Sequence, residues 1–324
     1  MKDNQPLVSV IAVCFNQSRF VIECLESIRR QTYQNVELII VDDCSQDDSV
    51  AVIRSWLDAT QGTATFIAHT RNMGICKTFN EAVAHATGKY VSIIAADDLY
   101  LPDKTEVQVE LFEKLPANVG VVYSDALQID QDGTVLPRKF IEAHRELPIM
   151  PEGQIFPVLL KDNFIPAMTT LIRRQCFDTV GPYDETLLYE DFDMWLRISR
   201  QFCFSFSPKI SAKYRILPTS MTRAVMEKNG WGALKSNFRI FEKCLQTSEL
   251  TSEQRTYIGY RLRDIATRMY VEKCEGRNYY LWKLVRHSPR KYTLAIFLFS
   301  TAAIPFAQFS RLHSWWESRH KKTT

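Results

Sequence analysis

Several familiar signatures are missing from this chain of 324 residues. Its eight cysteines, Cys14, Cys24, Cys44, Cys76, Cys176, Cys203, Cys244 and Cys274, lie far apart and include no CxxC pair. That spacing argues against a zinc site or a disulfide framework and fits thiols kept in a reducing compartment. The first apolar run is followed by Asn16-Gln17-Ser18 rather than GxGxxG, which leaves a dinucleotide-binding Rossmann site unsupported. Met1-Lys2-Asp3-Asn4-Gln5-Pro6 leads straight into a strand with no secretory apolar segment, so the bulk of the chain is expected in the cytosol. Internal repeats and low-complexity stretches are lacking. A formal charge of +3 is too small to call for nucleic acid, while 46% apolar and 24% charged residues are those of an ordinary globular protein.

The most informative feature present is Asp97-Asp98, placed directly after the apolar run Tyr90-Val91-Ser92-Ile93-Ile94-Ala95-Ala96. Such a run, rich in β-branched residues, reads as a strand buried on both faces of a parallel sheet. Open α/β sheets bind ligands at the C-terminal ends of their strands. Two hard oxygen ligands there suit a divalent cation that also holds phosphates.

The pattern around this strand predicts α/β architecture. Leu7 to Phe15 reads as a first strand, Ser18 to Gln31 as a helix, Val36 to Val41 as a second strand, and Val50 to Leu57 as part of a second helix. Thr63 to Ala68, Ile75 to Ala86 and Lys89 to Ala95 continue as strand, helix and strand. These units indicate a mostly parallel, Rossmann-like sheet flanked by helices. Gly120 to Asp125 is a further strand, Asp132-Gly133 a hairpin turn, residues 137 to 154 a loop, and Asn163 to Ile172 a segment of β character. Asp191 to Ser199 begins a helix. Beyond roughly Met221 the pattern is helical, which divides the chain into 1–220, an α/β domain, and 221–324, a helical C-terminal region.

Three further groups carry two readings each. Asp42-Asp43 closes the second strand and would either bind a base or ribose or cap the following helix, as Ser45 or Asp47 would do equally well. Arg71-Asn72, Gly74, Lys77 and Asn80 either make a cationic helix start suited to diphosphate or a plain loop-to-helix junction. Glu190-Asp191 either offsets a helix dipole or supplies a general base.

Taken in order, these segments resemble the family 2 glycosyltransferases. The matching pieces are Val8 to Ile11 with Phe15-Asn16, then Val41 to Ser45, Asn72 to Gly74 with Asn80, and Gly88 to Tyr90. Ala96-Asp97-Asp98 with Leu101 to Lys104, Gly181 to Glu185, and Glu190 to Arg197 follow. The resemblance covers residues 6 to 220 and implies a GT-A fold and inverting transfer from a nucleotide-diphosphate sugar, UDP- foremost, to a glycan or lipid-linked hydroxyl in bacterial surface polysaccharide synthesis. It implies that Asp43 contacts the base with Phe15 and Asn16 beside it, and that Asn72, Lys77 and Ala96 also line the donor. Asp97 and Asp98 would bind Mn²⁺ or Mg²⁺, leaving open which is the principal ligand. Asp191, next to Glu190, would deprotonate the acceptor. Two positions depart from the pattern: Ala95 stands where many members have an aspartate, and Leu217 where a histidine is frequent. Diphosphate contact near the second would fall to Arg215 or Arg223. The other readings are a nucleotidyltransferase, which lacks its basic glycine-rich loop here, and a catalytically silent binding subunit or scaffold.

Residues 293–310 carry no charge and are flanked by Arg290-Lys291 and Arg311, with Trp315-Trp316 nearby. From Lys283 on, eight Lys and Arg stand against Glu317 alone. The run falls short of a span of about twenty residues and contains Pro305 and Gln308. It reads either as an apolar helix lying at a membrane surface through residues 290–316 or as a packed terminal helix or oligomer contact. The chain would then be cytoplasmic or peripheral on the cytoplasmic membrane face.

Overall fold

The strand Val8–Cys14 (β1) is buried along its whole length because parallel neighbours flank it on both edges. Val36–Asp42 (β2) lies on one side and Tyr90–Ala95 (β4) on the other, with Thr65–Ala68 (β3) beyond β2. A computed structural model describes residues 5–61, 63–145, 147–218, 231–247 and 249–311. The chain divides into two compact units, Met1–Ser220 and Met221–Thr324.

In the first unit the helices that return the chain between parallel strands bury one stripe each, as the apolar spacing requires. Helix Val21–Arg29 buries Val21, Cys24, Leu25 and Ile28. Helix Ser49–Thr60 buries Ile53 and Trp56, whose indole N–H donates to Glu26 at 2.8 Å. Helix Ile75–His85 buries Cys76, Phe79 and Ala82. Leu99–Tyr100 (β5) follows the aspartate pair, and helix Lys104–Phe112 leads into Val119–Tyr123 (β6).

Beyond this half the sequence pattern is less complete. Ala126–Ile129 (β7) and Val135–Lys139 (β8) form the expected hairpin, with the Gly133 N–H donating to the Asp130 carbonyl at 3.1 Å. The stretch 137–154 is not all loop, since β8 runs to Lys139 and a short helix follows over Phe140–His144. Only Leu171–Arg173 (β9) of the 163–172 segment is strand; Ala167–Thr169 forms a 3₁₀ turn before it. β9 inserts antiparallel between β4 and β6. Cys203–Phe206 (β10) completes the large sheet, ordered β10-β6-β9-β4-β1-β2-β3. Ala212–Arg215 (β11) joins a second sheet ordered β5-β11-β7-β8.

The second unit contains helices Trp231–Leu245, Ser252–Val271, Arg277–His287 and Lys291–Thr301. Thr251 opens the longest with a capping box: its hydroxyl accepts from the Gln254 N–H, and the Gln254 side chain accepts from Thr251. The uncharged run 293–310 is not one helix. The helix Lys291–Thr301 stops there, Ala303 adopts a left-handed backbone, Pro305 follows, and helical backbone resumes at Phe306. Phe306 and the buried Phe309 then turn back, with Phe306 against Tyr270. No helix among the described residues is long and apolar enough to cross a membrane. Arg223, Trp315, Trp316, Glu317, Arg319, Lys321 and Lys322 lie outside the described residues.

Candidate active site

The C-terminal ends of β1, β2 and β4 lie side by side because the register pairs Cys14 with Asp42 and Val13 with Ala95. Each strand exits into a polar turn, so Asn16, Asp43 and Asp97 emerge along one sheet edge. Asp42 and Asp43 differ in what they bond. Asp42 is fully buried and caps its own turn, accepting from the Ser45 N–H at 2.8 Å and the Ser45 hydroxyl at 2.5 Å. Asp43 reaches across to the loop after β3. Its oxygens accept from the N–H groups of Met73 at 2.7 Å and Gly74 at 3.0 Å.

Gly74 makes this possible with φ +83°, a conformation that favours glycine. His69 places Nδ1 2.8 Å from Asp43 Oδ1 and Nε2 3.0 Å from Glu81. Three of roughly four acceptor positions on Asp43 are filled. Asn72 spends its amide on the Asp43 carbonyl at 3.1 Å. Asn16 accepts from the Gln46 N–H at 2.7 Å through its side chain, and Phe15 beside it is exposed. Lys77, on the first turn of helix Ile75–His85, is half-buried.

Asp98 is almost completely buried and accepts from the Arg215 backbone N–H at 2.9 Å. Asp97 is more open and accepts from the Gln17 side-chain amide at 3.3 Å. Burial pushes both carboxyls above the ordinary range, and the charge of Asp97 raises Asp98 further. Among the described residues no cationic side chain forms an ion pair with either carboxylate, and the nearby charge of Arg215 only partly offsets their burial. That donor set fits a divalent cation. No group of three or more His, Cys, Asp or Glu able to hold a metal occurs among the described residues. The remaining ligands would therefore come from phosphate and water, as is usual for Mg²⁺.

Two expected donor contacts need correction. Arg215 does not face a ligand. Its guanidinium is buried over the Phe20 ring and donates to the carbonyls of Asp97, Asp130 and Gln131 and to the Glu23 carboxylate at 2.7 Å. Ala96 is a core residue whose N–H donates to the Val13 carbonyl at 2.9 Å, so its methyl is out of a ligand's reach.

Glu190 and Asp191 open the helix Asp191–Ile198. The segment before them is tied to helix Ile75–His85. Asn80 exchanges hydrogen bonds with the Tyr183 backbone at 2.7 and 3.0 Å, and the Cys76 thiol donates to the Leu187 carbonyl at 3.6 Å. The charge of Glu190 also reaches Cys76, raising its thiol after burial does so. Asp191 accepts from the Asn163 amide at 2.9 Å and from the Phe192 N–H at 2.6 Å. The pair keeps part of its surface open yet is surrounded by protein on most sides. Burial raises Asp191; burial, then the Asp191 charge, raises Glu190 to about 8.

Contacts therefore chain the predicted residues together. Gln17 connects the β1 exit to Asp97, Asp43 holds the start of helix Ile75–His85, and that helix holds the segment carrying Glu190-Asp191. Sequence reasoning missed Gln17, His69 and Asn163. The strand-end position of His69, just after β3, was a usable signal; the other two depend on contacts distant in sequence.

An α/β fold gathers acidic side chains at the parallel edge of a mixed sheet, where open sheets of this kind bind ligands. The chain belongs to glycosyl transferase family 2: the family's sequence profile matches residues 9–181. An uncharacterized glycosyltransferase of Rickettsia typhi is 30% identical over 243 residues, covering 74% of each chain. The putative teichuronic acid biosynthesis glycosyltransferase TuaG of Bacillus subtilis is 26% identical over 245 residues, covering 75% of this chain and 90% of TuaG. Among solved structures, S. aureus TarS 1–349 in complex with UDP-GlcNAc superposes with a TM-score of 0.65 at 15% identity, covering 91% of this chain and 87% of that one. The fold is GT-A, and the enzyme is a glycosyltransferase.

Proposed function

We propose that this enzyme is an inverting transferase that moves a sugar from a nucleotide-diphosphate sugar to a hydroxyl of a glycan or lipid-linked acceptor in bacterial surface polysaccharide synthesis. The observation that carries the reading is the Glu190-Asp191 pair, linked through helix Ile75–His85 to the strand edge that holds Asp43. The names of TuaG and of the TarS complex support the acceptor class and a UDP-linked donor. The eight free thiols suit a cytoplasmic reaction.

The remaining acceptor position on Asp43 takes a base N–H, with Phe15 beside it, and Lys77 faces the diphosphate through charge. Asp97, the more open of its pair, would be the principal ligand of Mn²⁺ or Mg²⁺, with Asp98 behind it. That cation supplies neutralisation of the negative charge on the departing diphosphate. Asp191 accepts the proton of the acceptor hydroxyl. The acceptor oxygen bonds to the anomeric carbon from the face opposite the diphosphate, the bond to the diphosphate oxygen breaks, and nucleoside diphosphate leaves. Burial and the charge of Asp191 raise Glu190, which favours its neutral form beside an ionised Asp191.

The test is release of nucleoside diphosphate from a panel of UDP- and GDP-sugars with Mn²⁺ or Mg²⁺, with and without EDTA. Asp191→Asn should lose about 10²- to 10⁴-fold in transfer while donor and metal still raise the melting temperature. Normal transfer by that variant overturns the base assignment. Activity that survives EDTA overturns the metal role. Absence of any donor-induced stabilisation with Mn²⁺ favours a catalytically silent scaffold instead.

A further inference from the structure

The segment 277–311 contains six Lys and Arg, at 277, 283, 286, 290, 291 and 311, and no Asp or Glu. Its two helices, Arg277–His287 and Lys291–Thr301, bury one face each. Tyr280, Leu281 and Leu284 point inward from the first, and Thr293, Ile296 and Ser300 from the second. The outer faces are not polar, although a solvated helix normally carries its charges there. Tyr279 is 56% exposed and Trp282 48% on the first helix; Leu294 is 47% and Leu298 52% exposed on the second. Residues 279, 282 and 286, and residues 291, 294 and 298, have the three-then-four spacing that aligns each trio along one helical face. The rings of Trp282 and Phe297, 5.5 Å apart, join the two faces into one patch. Arg286, Arg290 and Lys291 are exposed at its end, where the two helices connect.

A contiguous apolar patch with a basic margin marks an interaction surface. Eleven residues of helix extend about 16 Å, about half the bilayer core, so the second helix can lie along a membrane but not cross it. We propose that this helical pair docks on an anionic phospholipid surface. Trp282, Leu294 and Leu298 enter the boundary between headgroups and acyl chains, while Arg286, Arg290 and Lys291 meet headgroup phosphates. The charge pattern selects lipid over a second copy of this chain. A two-fold contact sets the same patch against itself, and these cations would find no carboxylate on the facing helices. The sequence expectation of one apolar helix over 293–310 is thereby replaced by a two-helix surface that includes Tyr279 and Trp282.

The test is co-sedimentation of the full chain with vesicles of phosphatidylcholine alone or of phosphatidylcholine mixed with phosphatidylglycerol. No donor or acceptor is present, so the result stands apart from the transfer reading. The chain should partition onto the phosphatidylglycerol vesicles and leave them as salt rises. The double variant Leu294→Glu/Leu298→Glu should lose about tenfold or more in partition, and Arg290→Glu/Lys291→Glu should weaken it similarly. All four positions are exposed, and an unchanged thermal melt verifies that the variants fold. No binding to the anionic vesicles at low salt overturns the proposal, as does equal binding by the leucine variant. A dimer in sedimentation equilibrium that Leu294→Glu/Leu298→Glu dissolves also overturns it, in favour of a second copy.

Discussion

Asn163 gives one amide N–H to Asp191, and its own buried carbonyl oxygen finds no partner among the described residues. A hydrogen bond to a carboxylate favours the charged form, so this contact lowers an acid that burial otherwise raises. Asn163→Ala should shift the rising limb of kcat against pH upward and lower kcat at neutral pH, with little change in the donor KM. A limb that stays in place while both constants change would show the residue to be only structural. Asp97, Asp98, Glu190 and Asp191 could be singled out in the sequence because each pair adjoins a strand or helix end, while the roles expected of them came from the family resemblance. Arg215 and Asn163 could not be read that way. The direction of the first and the partner of the second are set by β11 and by the 163–170 segment, whose neighbours lie far along the chain.

The parallel half of the sheet rests on close backbone approach at one point. A Cβ added to Gly88 would stand 2.6 Å from the Ser9 hydroxyl, 2.7 Å from the Ser9 nitrogen and 2.8 Å from the Leu7 carbonyl. Two of these atoms are backbone and cannot swing aside. The Gly88 N–H also donates to Ser9 at 2.8 Å. Gly88→Ala should therefore cost about 1–3 kcal/mol, read as a lower urea midpoint with unchanged slope. An unchanged midpoint would mean that the turn before β4 relaxes freely. β1, β2 and β4 were legible because long β-branched runs alternate with amphipathic helices, and the short β3 because it falls between two such helices. β9, β10 and β11 were not, since strands of three or four residues leave little periodicity and their pairing is fixed by partners elsewhere. The helices after residue 231 were legible as elements, whereas the break of the last apolar run at Thr301 became evident only where Phe306 and Phe309 turn back.

At the scale of the whole molecule, the acidic pair links stability to pH. Glu190 is raised from its ordinary value of 4.5 to about 8, so the folded state holds a proton there that the unfolded state has released. Where the folded state binds more protons, stability falls as pH rises. This contribution is fully present below about 4.5 and is lost as pH climbs through about 8. Glu190→Gln removes the titrating group, so its melting temperature should exceed that of the parent by a margin that widens between about pH 5 and about pH 9. A margin constant across that range would place the proton elsewhere.

The position of Arg215 has a consequence for how the chain becomes organised. Its backbone orients Asp98, and its guanidinium joins the aspartate turn to Glu23 on the first helix and to the turn after β7. A chain made from its N-terminus thus carries the aspartates long before it carries the residue that clamps them. A fragment ending short of β11 would have the acidic pair without its clasp, and the aspartate turn would be among the last parts of the first unit to set.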